Sequence, residues 1–244
     1  MRSRPRETRE TRRCYRDAVR GSDETTVPQA HTWGPPHPLS FYARPAEVVA
    51  RELVGATLRM TAADGVARSG RIVETEAYVG AHDLACHAAK GRTARTEVMF
   101  GPAGHAYVYL VYGLHELFNV VTGRAGDPEA VLVRALELDA DSVGVDGGRR
   151  GDGPGRLTRR LGIDRRLLGA RLDVPPLTLH PGRPARRLVA TPRVGVDYAG
   201  PDWASARLRF VDADSAQLSL SLRRLGPDGY SSRGRLGPSR TPST

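Results

Sequence analysis

The sequence predicts a mixed α+β fold, a single domain in which a curved antiparallel β-sheet with surrounding helices carries a protruding β-hairpin. β-Favouring runs separated by glycine turns dominate the middle of the chain. Amphipathic helical segments flank them after Pro45 and after Pro154. No repeat or linker divides the folded part, so we expect one domain over residues 37–225. An arginine-rich, disordered arm at residues 1–36 and a flexible tail at residues 226–244 lie outside it.

The first elements are a short helix and two strands. Pro45 stands at a first helical position, an apolar stripe follows at helical spacing, and Gly55 lies just past the end. Strands are predicted over residues 58–60 and 71–79, around a glycine turn. The connection over residues 80–102 is so long that we expect it to be functional or to contain further helix.

A hairpin follows this connection. Residues 105–112 form a β-favouring run rich in aromatic side chains, Gly113 supplies the turn, and residues 116–122 return as the second strand. Tyr112 falls at the tip. A tyrosine at a hairpin tip has nothing to pack against unless a partner arrives, so this position predicts a contact with another molecule.

The second half of the chain predicts a strand, a helix and two final strands. The strand covers residues 130–138, and the final strands cover residues 188–198 and 208–210, after a proline-rich connector at residues 175–187. Between them, Gly153-Pro-Gly-Arg-Leu157 opens a helix that carries several arginines. Such a helix start is either a seat for phosphate or only a turn.

One strand face carries two carboxylates. Regular alternation along residues 71–79 places on the same face Ile72, Glu74, Glu76 and Tyr78. Charged residues are rarely buried without a partner, so this face is solvent-exposed, an ion-pair network, or the wall of a site where a carboxylate works. On the strand over residues 130–138, the same alternation groups Leu132, Arg134 and Leu136.

The charge balance predicts a polyanionic partner. The chain has 37 basic and 27 acidic residues, a formal net charge of +10, and nucleic acid is the first candidate. Lys90 is the only lysine. Coding bias by itself explains the low ratio of lysine to arginine, although guanidinium groups also bind phosphate oxygens well.

The cysteines and the apolar runs predict the compartment. Cys14 and Cys86 form no disulfide framework, which fits a reducing environment. The apolar runs, such as residues 131–133, are far too short to cross a bilayer, and no apolar segment follows the basic N-terminus as a secretion signal requires. We therefore expect a soluble cytoplasmic protein, associated with the nucleoid, with no membrane partner.

Two kinds of chemistry are weak candidates. A metal site could use His82, Asp83, Cys86 and His87, but their spacing matches no structural zinc pattern. We therefore predict neither a metal nor another cofactor. Schiff-base catalysis needs an amine, and only Lys90 and the amine of Met1 offer one.

A carboxylate acting as general base is the stronger candidate. Glu76, held between aromatic residues, could activate a water molecule, and apolar surroundings would tune its pKa toward neutrality. Tyr78, His87 and Tyr109 would then form a stacking cage for a flat heterocycle. Ordinary sheet packing and arginine pairing explain each residue separately, whereas one pocket for a base explains all of them.

Several segments together resemble the methylpurine (alkyladenine, 3-methyladenine) DNA glycosylase family, in its bacterial-type branch. The resemblance runs from about residue 39 to about residue 222 and leaves out the arm and the tail. The segments that carry it are, in order, Arg71-Ile-Val-Glu-Thr-Glu-Ala-Tyr78, His87, Met99-Phe-Gly-Pro-Ala-Gly-His-Ala-Tyr-Val-Tyr-Leu-Val-Tyr-Gly-Leu-His115, Phe118-Asn-Val-Val121, Val131-Leu-Val-Arg-Ala-Leu-Glu137, Gly153-Pro-Gly-Arg-Leu157, Pro192-Arg-Val-Gly-Val196 and Leu208-Arg-Phe210.

The resemblance implies a monofunctional DNA glycosylase of base excision repair. Such an enzyme flips an alkylated or deaminated purine of the 3-methyladenine, 7-methylguanine, hypoxanthine and ethenoadenine class from double-stranded DNA and hydrolyses its N-glycosidic bond without a cofactor. Chemistry on a base within a duplex requires this extrusion. We expect a monomer on DNA. The alternative from another class is a nucleic-acid binder that keeps the aromatic platform and does no chemistry.

The resemblance also implies roles in the pocket. Glu76 would deprotonate the water that attacks the sugar C1′, and Arg134 would help to position that water or the adjacent backbone. Tyr78, His87 and Tyr109 would sandwich the flipped base, and cationic alkylated purines would gain extra attraction from the aromatic faces.

Four further residues receive roles in the same way. Tyr112 would be the wedge that enters the minor groove where the nucleotide left the stack. Asn119 would line the pocket floor and disfavour purines with a 2-amino group. His115, which stands where some members have tyrosine, and Arg156 would contact the DNA.

Overall fold

Eight strands form one antiparallel sheet that organises the described part of the chain. The computed structural model describes residues 34–63, 65–140, 142 and 150–222. The predicted tail and, apart from residues 34–36, the predicted arm lie outside these residues.

The strands are β1 (Thr57–Thr61), β2 (Ala67–Tyr78), β3 (Ala106–Val111), β4 (His115–Thr122), β5 (Glu129–Leu138), β6 (Leu177–His180), β7 (Leu188–Thr191) and β8 (Arg209–Asp212). Their order across the sheet is β3-β4-β5-β2-β1-β6, and β8 pairs with both β2 and β7. The sheet curls and carries a few helices, which confirms the predicted α+β class.

In the described ranges, four short helices cover the sheet: α1 (Leu39–Tyr42), α2 (Ala46–Leu53), α3 (Pro154–Leu161) and α4 (Pro201–Ser205). The helices predicted after Pro45 and after Pro154 are confirmed. The longest of the described helices have eight residues, far fewer than the roughly 20 that cross a bilayer. The long connection predicted over residues 80–102 contains two turns of 3₁₀ helix, His87–Lys90 and Glu97–Phe100.

Three buried clusters lie in the described part of the chain. The largest one packs α2 against β2 and β5 and α3 against β4 and β5, and the Thr75 hydroxyl donates a hydrogen bond to the carbonyl oxygen of Ala50 in α2 at 2.9 Å. The second joins the 3₁₀ turns to the sheet and consists of Cys86, Ala88, Met99, Tyr107, Val121 and Ala130, with Tyr78 and Tyr109 packed against it. The third is small and consists of Ala85, Val196 and Ala199. Two of the aromatic residues predicted for a pocket, Tyr78 and Tyr109, therefore pack against the second cluster.

The pairing of β2 with β5 is irregular where the carboxylates lie. The register shifts twice, between Ile72 and Glu74 and between Glu74 and Thr75, and it leaves Val73 and Arg134 without Cα partners. Bulges of this kind redirect side chains. The predicted alternation is therefore wrong at Ile72 on β2 and at Leu136 on β5.

Ile72 does not share a face with Glu76, and Leu136 does not share one with Arg134. Ile72 and Leu136 are both fully buried in the largest cluster, whereas Arg134 reaches the two glutamates of β2. The bulges thus separate the apolar ends of both strands from the charged group at their centre.

The last strands differ from the prediction. The connector at residues 175–187 contains β6, whose four residues pair with β1, and the strand predicted over residues 188–198 ends at Thr191. Pro192 has no N–H to continue the ladder, and Gly195 adopts a positive φ of 76°. The strand predicted over residues 208–210 is confirmed as β8.

Candidate active site

A cavity of about 450 Å³ opens between the hairpin, the 3₁₀ turns and the segment after β7. Its size is in the range of small-molecule sites, about 300–1,000 Å³. The predicted residues that line it are Tyr78, His87, Tyr109, Tyr112, Asn119 and Arg134. Glu76, His115 and Arg156 do not line it.

Glu76 lies directly behind the cavity wall and is completely buried. Its Oε2 accepts hydrogen bonds from the Tyr78 hydroxyl at 2.9 Å and from Arg134 Nη1 at 3.2 Å. Its Oε1 accepts one from the backbone N–H of Val194 at 2.7 Å. All three donors line the cavity, so the carboxylate connects three separate parts of its wall. Because a carboxylate oxygen can accept two hydrogen bonds, Oε1 retains capacity for one more donor.

Arg134 forms hydrogen bonds to both glutamates of β2. Its Nε donates to Glu74 Oε1 at 2.9 Å while its Nη1 reaches Glu76. Glu74 also accepts from Arg209 Nε at 2.7 Å and from the backbone N–H of Ser219 at 2.7 Å. Burial alone would raise the pKa of Glu74, but the charges of Arg209 and Arg134 hold the pKa below its usual value. Glu74 is therefore a structural anion that fixes Arg134.

Tyr78 is held as a hydrogen-bond donor. Burial, followed by the charge of Glu76, raises the pKa of its phenol well above the usual value. The neutral phenol donates to the carboxylate, and its ring is exposed to the cavity. One face of the ring lies 4.8 Å from the guanidinium carbon of Arg193.

The opposite wall is a group of three rings. His87 meets Tyr109 edge to face, with centroids 4.6 Å apart and planes at 75°, and Tyr109 lies 5.1 Å from Tyr107. Burial, with the positive charges of Arg95 and Lys90, lowers the pKa of His87 to about 4. The ring is therefore neutral at physiological pH.

The neutral imidazole has a defined tautomer. Arg95 Nη2 lies 3.2 Å from Nε2 of His87, and an arginine can only donate, so Nε2 accepts. Nδ1 then carries the proton and donates to the hydroxyl oxygen of Tyr107 at 2.9 Å. Arg95 also lies 4.8 Å over the ring of Tyr109.

Asn119 forms part of the cavity floor. It is 3% exposed and its Nδ2 donates to the carbonyl oxygen of Tyr107, its partner across β3 and β4, at 3.1 Å. The amide is thereby fixed in one orientation.

The segment that supplies the Val194 N–H is anchored by a buried ion pair. Arg193 donates to Asp83 through Nη1 at 2.5 Å and through Nη2 at 2.9 Å, and both side chains are fully buried. Asp83 also accepts from the backbone N–H of Ala85 at 3.0 Å. The pair therefore connects the segment after β7 to the segment that leads into His87.

Tyr112 lies at the tip of the hairpin, as predicted. It is 92% exposed and has a positive φ of 52°, followed by Gly113 with φ of 70°. The Leu114 N–H donates to the Val111 carbonyl at 3.0 Å, which makes a type I′ turn. A bulky residue with a positive φ is strained, so the turn stores strain in order to present this ring beside the cavity.

His115 on β4 and Arg156 on α3 belong to elements that approach each other near the tip of the hairpin. A Cβ added to Gly155 would lie only 3.0 Å from the His115 Cβ, so the glycine allows the start of α3 to approach β4. Arg156 Nη1 donates to Asp152 at 3.0 Å, and its side chain remains largely exposed.

The side chains considered for a metal site have other partners. Asp83 binds Arg193, the Cys86 thiol donates to the Pro128 carbonyl at 3.8 Å, and His87 binds Tyr107. Burial raises the pKa of the Cys86 thiol to about 11. In the described ranges, no group of three or more His, Cys, Asp or Glu side chains is placed to hold a metal ion.

Comparison with known proteins identifies the family. The model of the methylpurine-DNA glycosylase (MPG) family matches residues 40–216. The chain belongs to this family. It is therefore a DNA glycosylase, a hydrolase of N-glycosyl bonds, and DNA is its substrate partner.

Similar proteins agree with this assignment. A protein of Myxococcus xanthus (strain DK1622) named "Putative 3-methyladenine DNA glycosylase" is 56% identical over 184 residues, which are 75% of this chain and 92% of the relative. Proteins with the same name from Methanocella arvoryzae and from Legionella pneumophila (strain Lens) are each 45% identical, over 192 and 185 residues. These alignments cover 75% of this chain and 94% and 97% of the two relatives.

The sequence prediction missed several residues of this glycosylase site. Tyr107 shares a strand face with Tyr109, so the period of two could have revealed it. Arg95 and Val194 lie in irregular segments that carry no periodic signal. Asp83 and Arg193 are 110 residues apart, and a pairing over that distance leaves no trace in a single sequence.

Proposed function

We propose that this glycosylase is monofunctional and excises alkylated or deaminated purines from double-stranded DNA by hydrolysis with a Glu-activated water. It would act as a monomer on nucleoid DNA in base excision repair. The observation that carries the proposal is the exposed Tyr112 at the mouth of an aromatic cavity whose wall is backed by the buried Glu76.

The cavity geometry supports binding of a flipped purine. Tyr78 on one side and His87 with Tyr109 on the other offer ring surfaces to a flat base, and Asn119 supplies a fixed amide at the floor. Tyr112 would fill the gap that the flipped nucleotide leaves in the duplex. Near the tip of the hairpin, His115 and Arg156 would contact the DNA backbone.

The chemistry follows from the position of Glu76. Its Oε1 would accept a proton from a water molecule while the water oxygen forms a bond to C1′ of the flipped nucleotide. The bond from C1′ to the purine nitrogen breaks, and its electron pair leaves with the purine. Arg134, fixed by Glu74, would orient the water and balance the charge of the carboxylate.

The direct test is base release. Purified protein is incubated with duplexes that carry a single 3-methyladenine, 7-methylguanine, hypoxanthine or ethenoadenine, and the free base is measured by mass spectrometry against an undamaged duplex. We expect release from the damaged duplexes only. Binding of damaged DNA without release of any base would show a binding protein and contradict the proposal.

Two controls address the other chemistries. Release should be unaffected by EDTA, and a loss that zinc restores would instead support a metal site. The Lys90→Ala variant should keep its activity because Lys90 does not line the cavity. Loss of release in that variant, with the fold intact, would support an amine nucleophile.

Tyr112→Asn should separate stability from activity. Asparagine tolerates a positive φ and favours type I′ turns with a following glycine, so the free energy of unfolding should rise by about 0.5–1 kcal/mol. Base release should fall about tenfold or more because the wedge is lost. Urea denaturation and single-turnover kinetics measure the two effects.

The matched control, Leu114→Asn, changes the neighbouring exposed residue and should bring no such gain in stability. Equal activity of Tyr112→Asn and the wild type would refute the role of Tyr112 as a wedge.

A further inference from the structure

Arg95 is an unbalanced positive charge at the cavity. Two arginines line it, Arg95 and Arg134. Arg134 is neutralised by Glu74 and Glu76. Among the residues that the structure describes, no ion pair includes Arg95; its guanidinium group contacts neutral partners, Nε2 of His87, the ring of Tyr109 and the hydroxyl of Tyr107.

The loop that carries Arg95 is fixed by its own hydrogen bonds. Thr96 Oγ1 accepts from the Thr93 N–H at 2.9 Å and donates to the Gly91 carbonyl at 3.2 Å. Beside it, Arg92 pairs with Glu97 through Nε at 2.7 Å. Arg95 is therefore presented to the cavity by an ordered loop.

The Arg95 guanidinium makes with Tyr109 the kind of contact that an aromatic pocket offers to a cationic base. It lies 4.8 Å from the centroid of the Tyr109 ring, the position of a cation–π partner. The other wall is similar, since Arg193 lies 4.8 Å over Tyr78, but Arg193 is paired with Asp83. A purine that is already positive would meet like charge at Tyr109.

The same positive charge favours the reaction of a neutral lesion. When the bond to C1′ breaks, the electron pair arrives on the purine, so a neutral base accumulates negative charge and a cationic base becomes neutral. A fixed positive charge on the cavity wall stabilises the first change and opposes binding of the second kind of base. Both effects favour neutral lesions over cationic lesions.

We propose that Arg95 is a specificity-determining residue that shifts the pocket toward neutral purine lesions such as hypoxanthine and away from cationic ones such as 7-methylguanine. This inference rests on the proposed function. The aromatic cage alone would favour cationic lesions over neutral ones. Arg95 counteracts this preference and thereby sets the balance between the two kinds of substrate.

The test compares single-turnover rates on two duplexes, one with 7-methylguanine and one with hypoxanthine, after subtraction of spontaneous base loss. In Arg95→Gln, which keeps a planar donor without the charge, the ratio of the 7-methylguanine rate to the hypoxanthine rate should rise about tenfold. In Arg95→Lys, which keeps the charge, the ratio should stay within about threefold of the wild type. The ratio cancels any contribution of phosphate contacts, because both duplexes have the same backbone.

The matched control is Arg92→Gln, which removes the same charge from the same loop outside the cavity and should leave the ratio unchanged. Equal loss of rate on both duplexes in Arg95→Gln would reduce Arg95 to a phosphate contact and overturn the inference. A ratio in Arg95→Lys that matches Arg95→Gln would also overturn it, since the charge that lysine keeps would then not set the ratio. Failure of the wild type to release either base would refute the proposed function instead.

Discussion

A Glu76→Gln variant is expected to release damaged purines about 10²- to 10⁴-fold more slowly than the wild type, the usual contribution of a general base. The amide has nearly the shape of the carboxylate but cannot take a proton from water. Because Tyr78, Arg134 and the Val194 N–H all donate to this group, the amide N–H₂ will face at least one donor. We therefore also expect a loss of about 1–3 kcal/mol in the free energy of unfolding.

Two measurements separate chemistry from folding in this variant. Affinity for a duplex with an abasic-site analogue should remain close to that of the wild type, since the backbone contacts and Tyr112 are unchanged. Glu137→Gln is the matched control: it removes a carboxylate of β5 that pairs with Arg71 and does not line the cavity. That control should keep full activity, whereas full activity in Glu76→Gln would remove Glu76 from its role.

Breaking the buried ion pair of Asp83 and Arg193 should have the largest effect on stability. Asp83→Asn leaves the Arg193 guanidinium buried without its counter-charge, and such changes cost about 3–5 kcal/mol. Base release should also fall, because the pair holds the segment whose Val194 N–H contacts Glu76. Urea denaturation and single-turnover release measure the two losses.

The double variant Asp83→Asn/Arg193→Met tests the cause. Replacement of a buried pair by groups of similar size can be nearly neutral, so stability should recover by more than half while release stays low. The exposed pair of Glu47 and Arg51 is the control, and Glu47→Gln should cost less than about 1 kcal/mol. A loss under about 1 kcal/mol in Asp83→Asn would contradict the anchoring role.

Local sequence signals predicted the hairpin and the helices because their causes are local. The β-favouring run before Gly113 and the proline-to-glycine bounds of α2 need no knowledge of distant residues. The position of Tyr112 at the tip followed from the same signals, whereas the role of Asn119 in the pocket came from the family resemblance.

The remaining features depend on distant contacts. Alternation assumes a regular ladder, and the bulges that redirect Ile72 and Arg134 arise from the pairing of β2 with β5. The four residues of β6 are too few to show a period between prolines. The ion pair of Asp83 with Arg193 and the N–H of Val194 depend on where the segment after β7 lies, which the chain order does not reveal.

Hydrolysis by a Glu76-activated water is tested most directly by identification of both products from one duplex with a single hypoxanthine. We expect free hypoxanthine and an uncut strand with an abasic site in equal amounts, and no covalent protein–DNA adduct after treatment with borohydride. Trapping of such an adduct, or strand cleavage in step with base release, would show an amine nucleophile and contradict hydrolysis by a Glu76-activated water.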